Sequence, residues 1–127
     1  MQASFSFQLA PDRDLIRITM AGFFEAADIA RFMRERNEAM TGLACAPNQH
    51  LTLVDIRGMN IQSQEAVAMF AEVLRNPQSL SRRIAFVVGR SLARSQVIRA
   101  AGGRGRLFFD IAQAEAWLFQ DADAAAA

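Results

Sequence analysis

The sequence predicts an α/β protein with a single mixed five-stranded sheet, and three patterns indicate this fold class. Two continuous apolar runs of strand length, HLTLVDI from His50 and RRIAFVVG from Arg82, are typical of parallel strands covered on both faces. Each run is followed by apolar residues at helical spacing. The N-terminal segment instead alternates apolar and polar residues, which favours an antiparallel hairpin. The predicted order of elements is therefore ββαβαβαβα.

The hairpin and the first helix come from the N-terminal third of the chain. SFSFQLA and DLIRITMAG are its two predicted strands, and the proline and aspartates of APDRD between them suit a short reversal. In EAADIARFMRERNEAM, Glu25 and Asp28 stand where the dipole of a helix favours negative charge. The residues at helical spacing in this segment are Ile29, Phe32, Met33, Arg36 and Met40.

The rest of the chain alternates strands and helices. QEAVAMFAEVLRN is a helix that stops before Pro77, RSLARSQVIRAAGG is a helix with a double-glycine stop, and RLFFD is a short last strand. In DIAQAEAWLFQ, Asp110 and Gln113 resemble a capping box at the start of the final helix. Successive strand-helix-strand units imply right-handed parallel crossovers. We expect one domain over residues 1–120 and a frayed alanine-rich tail at 121–127.

Composition argues against several classes of site. Cys45 is the only cysteine and His50 the only histidine, which excludes a disulfide framework and a zinc site built from several such ligands. No segment offers about eighteen apolar residues in a row, and the chain begins without a basic, apolar leader pattern. We expect a cytoplasmic protein with no membrane insertion, metal or cofactor. No serine or cysteine stands with a base and an orienting group, so no catalytic residue and no enzymatic activity are predicted.

Charge is distributed unevenly along the chain. Residues 73–109 hold eight arginines and no acid, whereas the remaining residues hold six arginines and thirteen acids. The asymmetry fits an anionic partner or head-to-tail association in a homodimer. Alternatively, acids from the rest of the chain neutralise these arginines in the folded protein. Nucleic-acid binding is not expected, because the net charge of the chain is only +1.

Three segments pair a strand with the helix that follows it: LTLVDIRGMNIQSQEAV, RRIAFVVGRSLARSQVIRAAG and RLFFDIAQAEAWL. Together with the order of elements, they resemble the STAS domain of anti-sigma-factor antagonists, and in particular its SpoIIAA-like branch of small bacterial proteins. The resemblance extends from Phe5 to Leu118. It implies a SpoIIAA-like (STAS-like) β-α superhelix and a non-enzymatic regulatory module of a bacterium that binds a protein partner.

The resemblance also makes Ser63 a candidate phosphoacceptor. In phosphorylated antagonists, a strand leads to an Asp-Ser-Ser-Gly-Leu-Gly loop whose serine opens the second helix and receives a phosphate. Here the loop reads IQSQEA, in which only Ser63 matches. A serine before a helix can also act simply as its N-cap, whereas a phosphate there would gain from the helix dipole. The candidate interaction surface is Asn60, Ile61, Gln62, Ser63, Gln64 and Glu65.

A second candidate site lies where the parallel strands end. The carboxyl ends of such strands meet at one edge of an open sheet, where ligands tend to bind. Apolar residues beside arginines at this edge offer a wall and a rim for an apolar or anionic ligand. The predicted members are Phe23, Phe24, Asp55, Arg57, Met59, Arg90, Ser91 and Arg94. The two phenylalanines either both pack in the core or divide, leaving one exposed. The alternative function is thus a carrier of a small apolar or anionic, lipid-like molecule.

Overall fold

The computed structural model describes residues 2–89 and 93–120. Its strands are β1 (Ser4–Ala10), β2 (Leu15–Gly22), β3 (Leu51–Met59), β4 (Arg83–Val87) and β5 (Arg106–Phe108). Its helices are α1 (Ala26–Met40), α2 (Gln64–Arg75), α3 (Ala93–Ala101) and α4 (Ile111–Leu118). This order confirms the predicted arrangement of elements. Arg90, Ser91 and the tail at 121–127 lie outside the described residues.

The five strands form one mixed sheet in the order β1-β2-β3-β4-β5. β1 and β2 make the predicted antiparallel hairpin, and β2 to β5 run parallel. Because parallel crossovers are right-handed, a sequential strand order places α1, α2 and α3 on one face, where they share a core. α4 follows the last strand and packs on the other face, against β3, β4 and β5.

Alternate residues of each strand point to opposite faces of the sheet and build two cores. On the face covered by α1, α2 and α3, here called the three-helix face, the strands and the residue directly after β4 contribute Ile16, Ile18, Met20, Val54, Ile56, Phe86 and Val88. On the opposite face, here called the α4 face, the packed residues are Leu15, Leu51, Leu53, Ala85, Val87, Ala114 and Leu118. The continuous apolar runs of β3 and β4 therefore reflect burial on both faces.

β3 is longer than its apolar run predicts. The run ends at Ile56, but the strand continues to Met59 and pairs there with the end of β2. The register shifts on the way, because Thr19 lies opposite Asp55 while Ala21 lies opposite Gly58. A Cβ atom on Gly58 would lie 3.0 Å from the Cβ of Ala21, so glycine permits this close pairing.

The helices begin where side chains can satisfy their free N–H groups. In α1 the backbone N–H of Glu25 donates to Asp28 Oδ2 at 2.9 Å, which completes a capping box. In α4 the backbone N–H of Gln113 donates to Asp110 Oδ1 at 2.9 Å. The longest helix, α1, has 15 residues. Within residues 2–89 and 93–120, no helix combines the length and apolar character needed to cross a bilayer.

Candidate functional site

The described members of the predicted rim at the carboxyl edge of the sheet do not come together as one site. Asp55 continues the row of Leu51 and Leu53 on the α4 face, and its two carboxylate oxygens accept from Arg57 Nε at 2.9 Å and Nη2 at 2.8 Å. These bonds hold the pKa of Asp55 below its usual value. Arg94 instead borders the three-helix face. Arg57 is thus already paired, and it lies on the other side of the sheet from Arg94.

The apolar members of that rim divide between core and surface. Phe24 is fully buried and packs against the rings of Phe5 and Phe70. Phe23 is 39% exposed, and Met59 is half-buried against the three-helix core. Of the two alternatives for the phenylalanine pair, the structure shows the one in which a single ring remains accessible.

Gln62 is buried, contrary to the expectation that it belongs to an outward surface. It is 8% exposed, and its side-chain Oε1 accepts from the backbone N–H of Phe24 at 2.8 Å. Its Nε2 donates to the carbonyls of Gly22 at 2.9 Å and Asn60 at 2.6 Å. The amide of Gln96 then pairs with the backbone N–H and C=O of Gln62, at 2.6 and 2.7 Å. Gln62 therefore ties the loop after β3 to the end of β2 and to α3.

Ser63 has the geometry of a helix cap. Its Oγ accepts from the backbone N–H of Ala66 at 3.0 Å, and its backbone is extended. Asn60, Gln64 and Glu65 are exposed beside it. Ser63 is itself an exposed residue, and its phosphorylation stays a prediction.

A cavity of about 440 Å³ lies on the three-helix face, between the sheet and helices α2 and α3. Protein interiors are close-packed and contain few voids larger than a water molecule. A space of this size exceeds an ordinary packing defect and falls in the range of roughly 300–1,000 Å³ typical of small-molecule sites. Its apolar wall is formed by residues of the sheet and all three helices, among them Ile18, Met20, Phe32, Val54, Ile56, Val67, Phe70, Leu74, Phe86 and Val97.

One charged side chain reaches the wall of this cavity from α1. Arg36 is only 7% exposed and lines the cavity near the first residues of β3 and β4. Its guanidinium donates from Nη2 to the carbonyl of Ser79 and from Nη1 to Oδ1 of Asn37, each at 3.2 Å. Burial lowers the pKa of Arg36 from its usual value. Both partners are neutral, and no acid in the described part of the chain forms a salt bridge with this charge.

A chain of hydroxyl groups and an imidazole lies at the same end of the cavity. Thr52 Oγ1 and Ser81 Oγ, both on residues that line the cavity, are 2.6 Å apart. Ser81 Oγ lies 3.2 Å from Nε2 of His50, which is 4% exposed. Burial, together with the nearby charge of Arg36, lowers the pKa of His50 to about 4. At neutral pH the imidazole is therefore uncharged. Arg36, His50, Thr52, Ser79 and Ser81 are here called the amino-edge cluster.

Within residues 2–89 and 93–120, the charged side chains that line the cavity all have the same sign. They are Arg36, Arg82, Arg83, Arg94 and Arg104, with no aspartate or glutamate among them. The salt bridges in the described part of the chain involve Arg17, Arg31 and Arg57, so none of the five cavity arginines has an acidic partner there. None of the described arginines of residues 73–109 forms a salt bridge with an acid, and neutralisation of their charge over longer distances stays a prediction.

The amino-edge cluster was missed in the sequence because it is assembled from distant segments. Arg36 and Ser79 are separated by 43 positions, and Thr52 and Ser81 by 29. One signal was nevertheless visible, since Arg36 occupies the apolar stripe of α1 between Phe32 and Met40. A charge at a core-facing position of a helix indicates a buried polar site.

Comparison with known proteins identifies the fold. No family model and no curated protein matches the chain. A solved structure does match: an uncharacterised protein of the DUF3478 family, with a SpoIIAA-like fold, from Shewanella loihica PV-4. It has 16% sequence identity and a TM-score of 0.65, and the match covers 91% of this chain and 93% of that chain. The chain therefore has the SpoIIAA-like fold that its strand-helix segments resemble.

Proposed function

We propose that this protein binds a small, largely apolar molecule in the cavity of the three-helix face. The observation that supports this function is the cavity itself, about 440 Å³ of space walled mainly by aliphatic and aromatic side chains. The apolar part of this wall offers water few hydrogen-bond partners. A ligand with an alkyl or aromatic body would supply the contacts that the wall lacks.

Alkyl chain length provides a direct test of this function. Each buried methylene contributes about 0.8 kcal/mol, which corresponds to roughly a fourfold gain in affinity. We therefore expect calorimetric titration with hexanol, octanol, decanol and dodecanol to show affinity rising stepwise until the cavity is filled. At a fixed ligand concentration, a ligand that binds only the folded state also raises the melting temperature, and the increase grows with the logarithm of its affinity. Thermal denaturation should rank the four alcohols in the same order.

A substitution that fills the cavity separates binding inside it from adhesion to the surface. Ala100 is 9% exposed and lines the cavity, so Ala100→Phe places a ring in the space the ligand would use. Ala112→Phe makes the same change at an exposed position of α4 and serves as the control. Only Ala100→Phe should abolish binding. If no alcohol and no alkyl carboxylate binds the wild-type protein, or if both variants bind as the wild type does, the proposed function is wrong.

A regulatory interaction module remains the second candidate, and one observation favours it. Ile61 is 52% exposed in the loop between β3 and α2, near the exposed Ser63 and Glu65. The hydrogen bonds of Gln62 hold this segment in a defined shape. A protein that docks here would lose affinity on Ile61→Asp, whereas occupation of the cavity would be unchanged. Retained partner binding in Ile61→Asp would exclude this surface.

A further inference from the structure

We propose that the ligand is an alkyl carboxylate, such as a fatty acid, whose head group pairs with Arg36 while its chain occupies the cavity. This inference rests on the proposed function and adds the chemical class of the ligand and its orientation. Four features of the cavity support it: an unpaired buried charge, neighbouring hydroxyl groups, the absence of acids and the course of the apolar wall.

The buried charge is the first feature. Arg36 is 7% exposed, yet its two hydrogen-bond partners, Ser79 and Asn37, are neutral. No carboxylate among the described residues lies within salt-bridge distance of it. Buried charges in proteins are normally paired, because removal from water is otherwise costly. Arginine does not escape this cost by losing its proton at neutral pH. The cavity therefore holds a cation whose missing partner is an anion.

The neighbouring polar groups suit a carboxylate. The hydroxyl groups of Thr52 and Ser81 line the same end of the cavity, and a hydroxyl can donate to a carboxylate oxygen. His50 extends this chain through Ser81 and is neutral, so it adds no competing charge. None of these residues is acidic, so none repels an anion. The amino-edge cluster thus offers one buried cation, Arg36, together with the buried hydroxyl of Thr52 and the half-buried hydroxyl of Ser81.

The number of buried cations favours a single negative charge. Arg82 and Arg83 also line the cavity, but Arg82 is exposed and donates to the carbonyl of Gln49. Arg83 donates to the carbonyls of Trp117 and Gln120 on the opposite side of the sheet. Arg94 and Arg104 line the cavity as well but are exposed. Among the described residues, Arg36 is thus the buried guanidinium that remains for the ligand, and it matches a carboxylate in charge and in its forked geometry. A doubly charged phosphate would keep an uncompensated charge in the cavity.

The apolar wall of the cavity determines the direction in which the alkyl chain of the ligand runs. Thr52, Val54 and Ile56 are alternate residues of β3 that face the cavity, followed by Met59 at the far end. At about 3.3 Å per residue, Thr52 to Met59 spans roughly 23 Å along the strand. An alkyl chain that starts at Arg36 therefore runs along β3 toward the carboxyl edge of the sheet. The head group lies at the amino edge, opposite to the end where the sequence predicted the anion-binding rim.

The test compares dodecanoate with dodecanol on matched variants. In the wild-type protein we expect dodecanoate to bind roughly tenfold to a hundredfold more tightly than dodecanol, the range for hydrogen bonds to charged groups. Arg36→Met keeps the volume of the side chain and removes its charge, so it should lower dodecanoate affinity by that factor and leave dodecanol affinity within about threefold. Arg82→Met and Arg94→Met remove charges at the amino and carboxyl ends of the same cavity and serve as controls.

Arg36→Lys provides a variant that keeps the buried charge if Arg36→Met fails to fold. We expect it to retain a preference for dodecanoate, reduced because an ammonium lacks the fork of a guanidinium. Dodecanoate labelled with carbon-13 at its carboxyl carbon gives a second readout by NMR. Bound to the wild-type protein, the carboxyl signal should keep the chemical shift of the ionised form at a pH where free dodecanoate is protonated.

Three outcomes would overturn the inference while leaving the proposed function intact. The first is equal binding of dodecanol and dodecanoate by the wild-type protein. The second is an unchanged preference for dodecanoate in Arg36→Met. The third is loss of that preference in Arg94→Met alone, which would place the head group at the carboxyl edge. Absence of binding by either compound would instead overturn the proposed function itself.

Discussion

The two faces of the sheet are built from alternate residues of the same strands, yet they differ in kind. On the α4 face the strands meet a single short helix, and the small residues Ala85 and Ala114 allow close approach. Every residue of that core is no more than 2% exposed: Leu15, Leu51, Leu53, Ala85, Val87, Ala114 and Leu118. The core of this face is closed and apolar and stabilises the fold, while Asp55 and Arg57 pair with each other outside that core.

The three-helix face has a larger apolar core but also a cavity and a polar edge. Three of the four buried polar residues, Arg36, Thr52 and Gln62, line the cavity, and the fourth, His50, hydrogen-bonds to Ser81 beside it. The alternation of strand residues thus separates two tasks. The side chains on the α4 face stabilise the protein by close packing, and those on the three-helix face also line the cavity.

The largest expected effect compares the removal of one leucine from each face. Leu118→Ala on the fully buried α4 face opens a new cavity and should lower the free energy of unfolding by about 3–4 kcal/mol. Leu74 is half-buried and already borders the cavity, so Leu74→Ala should cost only about 1–2 kcal/mol. Urea denaturation of the ligand-free proteins measures both. Equal losses of unfolding free energy in the two variants would contradict the difference between a closely packed α4 face and a three-helix face with a cavity.

The second effect is a pH dependence of stability that comes from the amino-edge cluster. Folding lowers the pKa of His50 from 6.5 to about 4, so between these values the unfolded chain binds a proton that the folded protein does not. The contribution of His50 to the free energy of unfolding should therefore be fully present above pH 6.5 and should be lost as the pH falls toward 4. The full loss from this residue is roughly 3 kcal/mol.

His50→Gln provides the control for this pH dependence, because glutamine does not titrate and can still hydrogen-bond to Ser81. Carboxylates titrate in both proteins, and their contributions cancel in the difference. We expect the variant to lose about 3 kcal/mol less stability than the wild type between neutral pH and pH 4. Parallel stability curves for the two proteins would show that His50 is not held neutral.

The third effect concerns the amide that fixes the loop above the cavity. Gln62→Leu removes the partners of the Phe24 N–H and of the Gly22 and Asn60 carbonyls, so it should cost about 2 kcal/mol. Hydrogen exchange at the Phe24 amide should accelerate with it. Gln96→Leu removes only two bonds to the backbone of Gln62 and should cost about 1 kcal/mol. A larger cost for Gln96→Leu would contradict the central role of Gln62.

Much of the fold could be predicted from the sequence because its signals are local. The apolar runs of β3 and β4 and the helical spacing of the segments between them are enough to give the order of elements and the mixed sheet. The extension of β3 to Met59 was not visible, since it depends on pairing with β2 across a register shift. Where the end of a strand is determined by pairing with a neighbouring strand, the residues around that end carry no pattern from which it could be predicted.

The candidate site was predicted less well, for physical reasons that differ between residues. Asp55 and Arg57 are two positions apart in a strand and so share a face, and their mutual pairing was therefore foreseeable. Gln62 looked like a surface residue because its four hydrogen-bond partners come from three separate elements. Arg36 follows the helical spacing of the apolar residues of α1. Its charge at such a core-facing position is the local signal that indicates a buried polar site.

The smallest effect tests whether the two faces differ in packing alone or also in the helices that cover them. Ser63 caps α2 above the cavity, with its Oγ 3.0 Å from the N–H of Ala66, and Asp110 caps α4, with Oδ1 2.9 Å from the N–H of Gln113. Because the two bonds are alike, Ser63→Ala and Asp110→Ala should each cost about 1 kcal/mol in chemical denaturation. If one of these two variants lost several times more unfolding free energy than the other, the two faces would differ in the stability of their helices as well as in packing.

Ser63→Asn keeps a capping oxygen and should be as stable as the wild type, which makes it the control for both roles of this serine. Incubation of the two proteins with ATP and a lysate of the host, followed by mass spectrometry, then tests phosphorylation without interference from unfolding. A phosphate on the wild type that is absent from Ser63→Asn would add a modification site to the cap at the start of α2. Absence of phosphate from both proteins would leave Ser63 as a cap, and the function of this face would then depend on its cavity.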